Sequence, residues 1–400
     1  MKLPPQPWME KPGARAILRA LRVEDGNSRI VGGAVRDALL GLPVADVDLA
    51  TRLPPETVIA RLEAGGVRAV PTGIDHGTVT AVAHGMAIEV TTLRRDVSTD
   101  GRRATVAYTD DWREDAARRD FTFNALYADP VDGTIHDYFG GREDLEARHV
   151  RFIGAPLERI AEDHLRILRF FRFHARFGQG APDAEGLAAC AARANDLMAL
   201  SRERIRDEIV KLLGVADPVP TVRLMLDRAI LKPVLPEIEP ERIALLERVI
   251  RDERAVGIPP SALRRLAALL PRDAALAESI ALRLKLSNAE RRHLCQITET
   301  GAPAERPEAL AYRLGTAAAV DRLLLDGAAI DLVMRIREWP VPVLPLKGGE
   351  LVKRGLAKGA AVSRLLREIE RRWIEAGFPQ DQDRIEALIA QAAAGAEIGV

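Results

Sequence analysis

The chain has 400 residues, 47% of them hydrophobic and 29% charged, which predicts a soluble protein of roughly two to four domains. The 58 basic and 58 acidic residues balance, so any surface for nucleic acid must be local. Two cysteines, Cys190 and Cys295, lie far apart without metal-ligand spacing, which is typical of a reducing compartment. No run of about 18 apolar residues and no signal-peptide core occurs, so we expect a cytoplasmic protein that does not enter a membrane.

A pair of glycines follows the first predicted strand. Residues 29–31 form a short apolar run that ends in Gly32 and Gly33, and a helical segment follows over residues 34–40. Because glycines have no side chain, the backbone can approach a ligand closely. The start of a helix also offers N–H groups and partial positive charge to phosphate. Arg36, in the first turn, is placed to donate hydrogen bonds to phosphate oxygens.

Apolar and acidic residues alternate over residues 44–50. Because the side chains of a strand alternate between its faces, Asp46 and Asp48 are predicted to project together, with Val47 and Leu49 on the opposite face. Two adjacent carboxylates repel each other, and a divalent cation relieves that repulsion; hard oxygen ligands favour Mg²⁺. The order of strand, glycine pair, helix and acidic pair therefore predicts a phosphoryl-transfer site in which Asp46 and Asp48 bind the metal.

Three more short strands are predicted, over residues 67–70, 78–83 and 86–92. In the last of them, Ile88 and Val90 share one face and Glu89 lies on the other. Glu89 is therefore either a third carboxylate of the metal site or an exposed residue at the edge of the sheet.

Residues 94–112 carry many charges and show no clear period, which predicts a mobile loop that acts as a lid or binding element. Residues 129–139 predict a hairpin. This hairpin contains the dipeptide His136-Asp137, but no partner histidine and aspartate follow on helices, so we do not expect a metal-hydrolase site there.

Residues 118–125 read RRDFTFNA. As a functional set, an arginine would bind phosphate or ribose, Asp120 would orient that arginine, and Asn124 would contact sugar or backbone. The alternative is a helix end that Asp120 caps, with the arginines exposed to solvent. Taken alone, these residues favour the second interpretation.

Residues 162–173 read EDHLRILRFFRF and predict one helix, with Asp163, Arg166 and Arg169 close together and Arg172 about half a turn from Asp163. A carboxylate accepts hydrogen bonds and a guanidinium donates them. An Asp–Arg pair therefore matches the amino group and ring nitrogen of cytosine and adenine, but not the reversed pattern of guanine and uracil. The alternative is an ordinary salt bridge between residues three positions apart.

Helical periodicity replaces strand signals from about residue 156 onward. A proline-rich junction over residues 218–240 and a break at residues 301–307 divide the helical part. These shifts predict an N-terminal arm with a short helix, a mixed α/β head and three helical segments, over residues 1–27, 28–150, 151–217, 218–300 and 301–400.

Three stretches, GGAVRDALLG with DVDLAT, RRDFTFNAL, and EDHLRILRFFRF, together resemble the class II tRNA nucleotidyltransferase/poly(A) polymerase family over roughly residues 29–175. The resemblance implies an α+β fold, in which a polymerase-β-like nucleotidyltransferase head (a mixed sheet with helices) precedes an all-α neck, body and tail. The neck, residues 151–217, would read the nucleotide base. The tail, residues 301–400, would bind tRNA.

The resemblance also implies a reaction. A CCA-adding enzyme adds C, C and then A to the 3′ end of tRNA from CTP and ATP, without a template, and releases pyrophosphate by two-metal catalysis with Mg²⁺. Residues 94–112 would help to switch from C to A. Both lines of argument together give as catalytic candidates Asp46, Asp48 and Glu89. They give as nucleotide-binding candidates Gly32, Gly33, Arg36, Arg119, Asp120, Asn124, Asp163, Arg166, Arg169 and Arg172.

Other functions stay open. A poly(A) polymerase, or an enzyme that adds only A or only CC, would share the chemistry, although the near-neutral C-terminal residues favour CCA addition. A catalytically inactive RNA-binding scaffold is disfavoured because it would have no need of the repelling pair Asp46 and Asp48. A dinucleotide-binding dehydrogenase is disfavoured because the glycine pair lacks the Gly-x-Gly-x-x-Gly spacing. The sequence does not predict an oligomeric state.

Overall fold

The structure, a computed structural model, describes residues 2–99, 104–299 and 306–397. The chain forms two compact units, Met1–Pro236 and Glu237–Val400. The finer division into arm, head, neck, body and tail stays a prediction, and its expected break at residues 301–307 falls largely outside the described residues. Within the described ranges, no helix combines the length and apolar character that crossing a lipid bilayer requires.

A seven-stranded mixed sheet forms the centre of the first 150 residues, in the spatial order β3-β4-β5-β2-β1-β8-β9. Strands β2 and β5 run parallel, and the other neighbouring strands pair antiparallel. The strands of this sheet are β1 Ser28–Val31, β2 Asp48–Thr51, β3 Arg68–Gly73, β4 Thr78–Ala83, β5 Met86–Thr92, β8 Tyr127–Ala128 and β9 Ile135–His136. The three strands predicted between residues 67 and 92, and the predicted hairpin, are thus confirmed.

The expectation of a loop over residues 94–112 is wrong. Strands β6 Arg94–Thr99 and β7 Ala104–Tyr108 pair antiparallel in a separate two-stranded sheet. Backbone pairing satisfies the polar groups of this segment, and its valines and threonines favour extended backbone. A two-stranded ribbon can form without a periodic apolar face, so the missing period was a poor guide. Residues 100–103 lie outside the described residues.

The first unit contains helices between the strands of the sheet, and after β9 its elements in the described residues are all helical. The α-helices are α1 Pro12–Leu21, α2 Gly33–Leu39, α3 Pro55–Ala64, α4 Trp112–Ala117, α5 Gly141–Glu146, α6 Pro156–Glu162, α7 Leu165–Phe177, α8 Ala184–Ala192, α9 Arg202–Leu213 and α10 Val219–Asp227. The single helix expected over residues 162–173 is wrong, because Asp163 takes an extended conformation (φ −152°, ψ 105°) and separates α6 from α7.

The two faces of the sheet have different cover. Ile30, Leu49 and Ile88 are buried on one face, where α1 and α3 pack. On the other face, Val31 and Ala50 pack into a core built around α4 and β8. Strand alternation places Asp48 on this second face with Ala50, and the parallel register sets Glu89 of β5 directly beside Asp48.

A cluster of phenylalanines joins α7 to the segment that follows α4. The ring of Phe121 lies 4.8 Å from Phe152, 5.4 Å from Phe173 and 6.4 Å from Phe170, centroid to centroid. All four rings are buried. Aromatic side chains bury large areas and pack in preferred geometries, so this cluster fixes the arginine-bearing helix α7 beside residues 118–124.

In the second unit, every element of the described residues 237–299 and 306–397 is a helix. The α-helices are α11 Ile243–Val256, α12 Ala262–Leu269, α13 Ala274–Arg283, α14 Asn288–Thr298, α15 Pro307–Leu314, α16 Thr316–Asp326, α17 Ile330–Glu338, α18 Gly348–Lys353, α19 Ala360–Glu375 and α20 Gln382–Glu397. The predicted succession of a mixed sheet and then helices is confirmed. Gly327 (φ 77°) ends α16 in a left-handed cap and so separates it from α17.

Buried ion pairs connect four helices of the second unit. Glu253 of α11 accepts hydrogen bonds from Arg264 (2.6 Å) and Arg265 (2.7 Å) of α12. Arg264 also donates to Asp321 of α16 (2.7 Å), whose second oxygen lies 2.8 Å from Nε2 of His293 in α14. Breaking such a network leaves charges buried without partners, which is more costly than the net value of any one pair.

We therefore expect Glu253→Gln to lower the free energy of unfolding by about 3–5 kcal/mol, since it removes the carboxylate that two buried guanidinium groups share. Urea unfolding followed by circular dichroism measures this change. The matched control is Glu241→Gln at an exposed position just before α11, which should change it by less than about 0.5 kcal/mol. Equal effects of the two substitutions would contradict a structural role for the network.

Candidate active site

The three sequence clusters meet at one cavity of about 440 Å³. Its walls come from the start of α2, the start of β2, the residues after α4, and α7. The lining residues are Gly32, Gly33, Arg36, Asp48, Arg119, Asp120, Asn124, Asp163, Arg166, Arg169, Arg172 and Phe173. Every predicted site residue except Asp46 and Glu89 is among them. The structure thus brings these residues together, while their individual roles stay predictions.

The glycine turn forms one wall. Gly32 has φ 70° and ψ −124°, a conformation that residues with a side chain rarely adopt. Its N–H donates to the carbonyl of Leu126 (3.1 Å), which ties the turn to β8. A Cβ atom at Gly32 would lie 3.5 Å from Nη1 of Arg119. Glycine therefore allows the turn itself and keeps the backbone close to an arginine that lines the cavity.

Arg36 is more buried than the sequence suggested. It donates to Asn124 Oδ1 (2.6 Å) and to Asp37 Oδ1 (2.8 Å), and its guanidinium lies 5.2 Å and 4.8 Å from the ring centroids of Phe173 and Phe177. Burial lowers the pKa of Arg36 from its ordinary value, and Asp37 partly offsets this. The side chain thus forms a charged wall of the cavity and also links α2 to Asn124.

The acidic pair differs from the predicted arrangement. Val47 and Leu49 are buried as expected, but β2 begins only at Asp48, so Asp46 precedes the strand and is exposed. The predicted strand over residues 44–50 is wrong in its first half. On the β1 side, Val31 is the last residue of β1 and pairs with Asp48, and the chain then turns at Gly32, so residues 44–47 have no partner in β1.

Three carboxylates still influence one another. Burial raises the pKa of Asp48, and Glu89 and Asp46 raise it further, whereas Arg119 lowers it. Glu89 is exposed and lies next to Asp48 across the parallel pair. The sequence predicted this position of Glu89 only as one of two alternatives, because it does not show that β2 pairs with β5.

The described residues include no group of three or more His, Cys, Asp and Glu side chains already arranged for a metal ion. The donor chemistry nevertheless fits a hard divalent cation. Asp48 is a partly buried carboxylate whose pKa is raised by burial and by two neighbouring acids, and a cation would relieve that repulsion. Asp46 and Asp48 would be its ligands.

Arg119 is held by residues that the sequence analysis missed. It donates to Asp115 Oδ2 and to Tyr127 Oη, each at 3.3 Å. Asp115 also accepts from Arg118 (2.8 Å) and from Tyr127 Oη (2.6 Å). Burial alone would raise the pKa of Asp115, but Arg119 and Arg118 together lower it to about 2. A signal did exist, since Asp115 stands three and four positions before the arginine pair, the spacing of helical ion pairs.

Asp120 orients a different arginine from the one expected. Its carboxylate accepts from Arg169 Nε (2.6 Å), Asn124 Nδ2 (3.0 Å) and the N–H of Phe121 (2.9 Å). Burial would raise the pKa of Asp120, but Arg169 and Asn124 lower it. Both interpretations from the sequence are thus wrong in detail, because Asp120 neither caps a helix nor holds Arg119. It connects residues 118–124 to α7.

Asp163 and Arg166 both line the cavity, but each has its own partner. The Asp163 carboxylate accepts from Arg204 of α9 (2.7 Å) and from the N–H of Leu165 (3.1 Å). Arg166 donates to Glu162 (2.6 Å) and to the carbonyl of Arg118 (3.2 Å). The alternative of a salt bridge between Asp163 and Arg166 is therefore wrong for the described residues, because the extended backbone at Asp163 removes the helical spacing.

Arg172 lies on the cavity side of α7, although helical geometry counted from Asp163 placed it about half a turn away. That count is wrong because Asp163 is outside the helix. Within α7, Arg166, Arg169 and Arg172 follow at intervals of three residues and spread over roughly 120° of one face. Arg172 is buried and pairs with Glu208 of α9 (2.5 Å). Nothing in the local sequence signals that partner.

Two family models match the chain. The model described as the Poly A polymerase head domain matches residues 28–151, and the one described as a probable RNA and SrmB-binding site of polymerase A matches residues 182–242. The human protein named CCA tRNA nucleotidyltransferase 1, mitochondrial, is 34% identical over 394 residues, covering 94% of this chain and 89% of that protein. The chain belongs to the tRNA nucleotidyltransferase/poly(A) polymerase family. Membership implies the use of a divalent metal ion.

Solved structures and bacterial relatives agree with this assignment. The Bacillus stearothermophilus CCA-adding enzyme in complex with CTP superposes with a TM-score of 0.76 at 28% identity, covering 98% of this chain and 100% of that chain. The Thermotoga maritima CCA-adding enzyme complexed with tRNA shares the fold, with a TM-score of 0.70 at 20% identity, 95% of this chain and 96% of that one. A Geobacillus stearothermophilus CCA-adding enzyme is 41% identical over 204 residues, half of this chain and 49% of that enzyme.

The expected cytoplasmic location is contradicted. The mouse, human and zebrafish relatives of this nucleotidyltransferase, each covering more than 90% of the chain, are mitochondrial by name. The sequence argument failed because a low cysteine content indicates only a reducing environment, which several compartments share.

We expect Asp48→Asn to raise the melting temperature of the metal-free protein at neutral pH while it abolishes nucleotide addition. A carboxylate whose pKa is raised on folding costs stability once the pH exceeds its unfolded pKa, so the gain should shrink as the pH falls through the carboxylate range. Thermal unfolding in the presence of EDTA at several pH values measures this. Asp46→Asn, at an exposed position, should give a smaller gain, and a lower melting temperature for Asp48→Asn would contradict the argument.

Proposed function

We propose that this chain is a CCA-adding tRNA nucleotidyltransferase. It adds C, C and then A to the 3′ end of tRNA from CTP and ATP, without a template, and releases pyrophosphate. The observation that carries the proposal is a single cavity in which the glycine turn, Asp48 and the arginine row of α7 meet. The names of relatives that match over nearly the whole chain support the same reaction.

The electrostatics of the cavity suit a nucleoside triphosphate. Five arginines line it, and each is held by a neighbouring carboxylate, amide, hydroxyl or carbonyl: Arg36, Arg119, Arg166, Arg169 and Arg172. A guanidinium has five N–H donors, so an arginine fixed by one or two partners still has donors for phosphate oxygens. Arg119, beside the glycine turn and Asp48, is best placed for the triphosphate.

The metal ion is Mg²⁺ in this proposal, with Asp46 and Asp48 as ligands and Glu89 as a neighbouring acid. The chemistry supplied by bound Mg²⁺ is activation of the RNA 3′-hydroxyl and neutralisation of charge on pyrophosphate. The protein contributes position. The glycine turn and the arginines orient the triphosphate, so that its α-phosphate meets the hydroxyl in line, and no residue forms a covalent intermediate.

Base selection belongs to Asp163 and Arg166 in this proposal. The Asp163 carboxylate accepts from the exocyclic amino group of C or A, and Arg166 donates to the adjacent ring nitrogen. Guanine and uracil present the reversed pattern and leave the Asp163 carboxylate and the Arg166 guanidinium unmatched. Arg169 and Arg172 shape the pocket beneath the base. Residues 151–217 form the neck that carries this pocket, and residues 301–400 form the tail that binds tRNA.

The test is incubation with a tRNA that lacks its CCA end, together with each nucleoside triphosphate alone and all four combined, followed by sequencing of the product. We expect two C residues from CTP alone, and C-C-A and then termination from the mixture. A long A tract would indicate a poly(A) polymerase. A product that gains only A, or only CC, would indicate an enzyme that shares the task with another.

In the same assay, we expect Asp46→Ala to reduce nucleotide addition to background, because it removes a metal ligand. Binding of tRNA, measured by gel shift, should stay nearly unchanged, since Asp46 lies outside the proposed tRNA-binding tail. Asp75→Ala, at another exposed acid of the head, is the matched control and should retain activity. Equal losses of binding and of addition would contradict this division of roles.

Asp163→Ala should relax the choice among the four nucleotides more than it slows total incorporation. We expect the preference for CTP and ATP over UTP and GTP, measured as ratios of kcat/KM, to fall by roughly tenfold or more. Unchanged ratios would show that Asp163 does not read the base.

A further inference from the structure

Asp163 is held from outside the cavity by Arg204. The Nη2 atom of Arg204 lies 2.7 Å from Oδ2 of Asp163, and the N–H of Leu165 donates to Oδ1 at 3.1 Å. Arg204 stands on α9, 41 residues further along the chain. Of the described residues that line the cavity, Asp163 is one and Arg204 is not. The guanidinium therefore contacts the carboxylate from behind.

A carboxylate can select a base only if its free lone pairs point in a fixed direction. Asp163 is not part of a helix, since its backbone is extended between α6 and α7, so helical packing does not restrict its side chain. The N–H of Leu165 holds one oxygen, but a single contact leaves the plane of the carboxylate free to tilt about it. Arg204 fixes the second oxygen. Each oxygen has two lone pairs, so one on each stays available to an amino group.

A contribution to the stability of the fold does not explain the ion pair between Arg204 and Asp163. The side chain of Arg204 is 36% exposed and that of Asp163 is 27% exposed, and ion pairs in such positions add little to the free energy of folding. Holding a carboxylate at a defined angle, by contrast, needs only a short and directional contact. Charge-assisted hydrogen bonds from arginine supply that contact.

We propose that Arg204 is a positioning residue, which orients the Asp163 carboxylate toward the nucleotide base and thereby sharpens the selection of C and A. This inference rests on the proposed function, in which Asp163 reads the base. Arg204 itself touches neither the nucleotide nor the reacting atoms, so its effect must pass through Asp163.

The test compares kcat/KM for the four nucleoside triphosphates on tRNA lacking its CCA end. Arg204→Met keeps the apolar stem and removes the guanidinium, and it should lower the preference for CTP over UTP about tenfold. Arg204→Lys should restore part of that preference. The control is Arg206→Met on the same helix, where the arginine pairs with Asp207 and should leave the preference unchanged. Melting temperatures verify that every variant is folded.

A double-substitution cycle separates positioning from a general structural role. In an Asp163→Ala background, Arg204→Met should cause no further loss of nucleotide preference, because the group that it orients is gone. An additional loss in that background, or an unchanged preference after Arg204→Met alone, would overturn the inference. If Asp163→Ala alone leaves the preference intact, base reading by Asp163 fails first, and the two failures are thereby distinguished.

Discussion

The ion pair between buried Asp120 and partly buried Arg169 is the constraint on which the cavity depends. Asp120 follows α4 and Arg169 belongs to α7, so their 2.6 Å contact joins the sheet-bearing part of the first unit to the arginine-bearing helix. A buried carboxylate is favourable in such a pair only when its remaining hydrogen-bonding capacity is also satisfied. Asn124 and the N–H of Phe121 satisfy Asp120. Asn124 also accepts from Arg36, which extends the network to the glycine turn.

The carboxylates of this site form two groups, whose pKa values are shifted in opposite directions. Asp115 and Asp120 are buried with arginines and have lowered pKa values, so they are structural anions that stay ionised. Asp48 lies beside Glu89 and Asp46, and its pKa is raised by burial and by these like charges. A protein gains nothing in stability from that second arrangement. Neighbouring carboxylates that repel one another are expected where a protein binds a cation.

The sequence was informative where one segment carries its own signal. The glycine turn, the burial of Val47 and Leu49 on either side of Asp48, and the strands β4 and β5 depend on neighbours within a few positions, so local patterns predicted them. The partners of Arg169, Arg172 and Asp163 lie on elements distant in sequence, and only packing reveals them. The prediction of a loop over residues 94–112 failed for another reason. A two-stranded ribbon is stabilised by backbone pairing, so its sequence need not show an apolar period. No glycine or proline stands next to Asp163, so the sequence did not predict the extended backbone there.

That unpredicted break is also what makes a base-reading pair possible. On a continuous helix, the spacing of three residues would place Asp163 and Arg166 on the same face, where they would neutralise each other through an ordinary salt bridge. The extended backbone at Asp163 places the carboxylate at the start of α7, where Arg204 and the N–H of Leu165 hold it. Glu162 holds Arg166 instead. Each member of the pair thus has its own partner, and the acceptor and the donor stay separate groups that both line the cavity, as the proposed reading of a base edge requires.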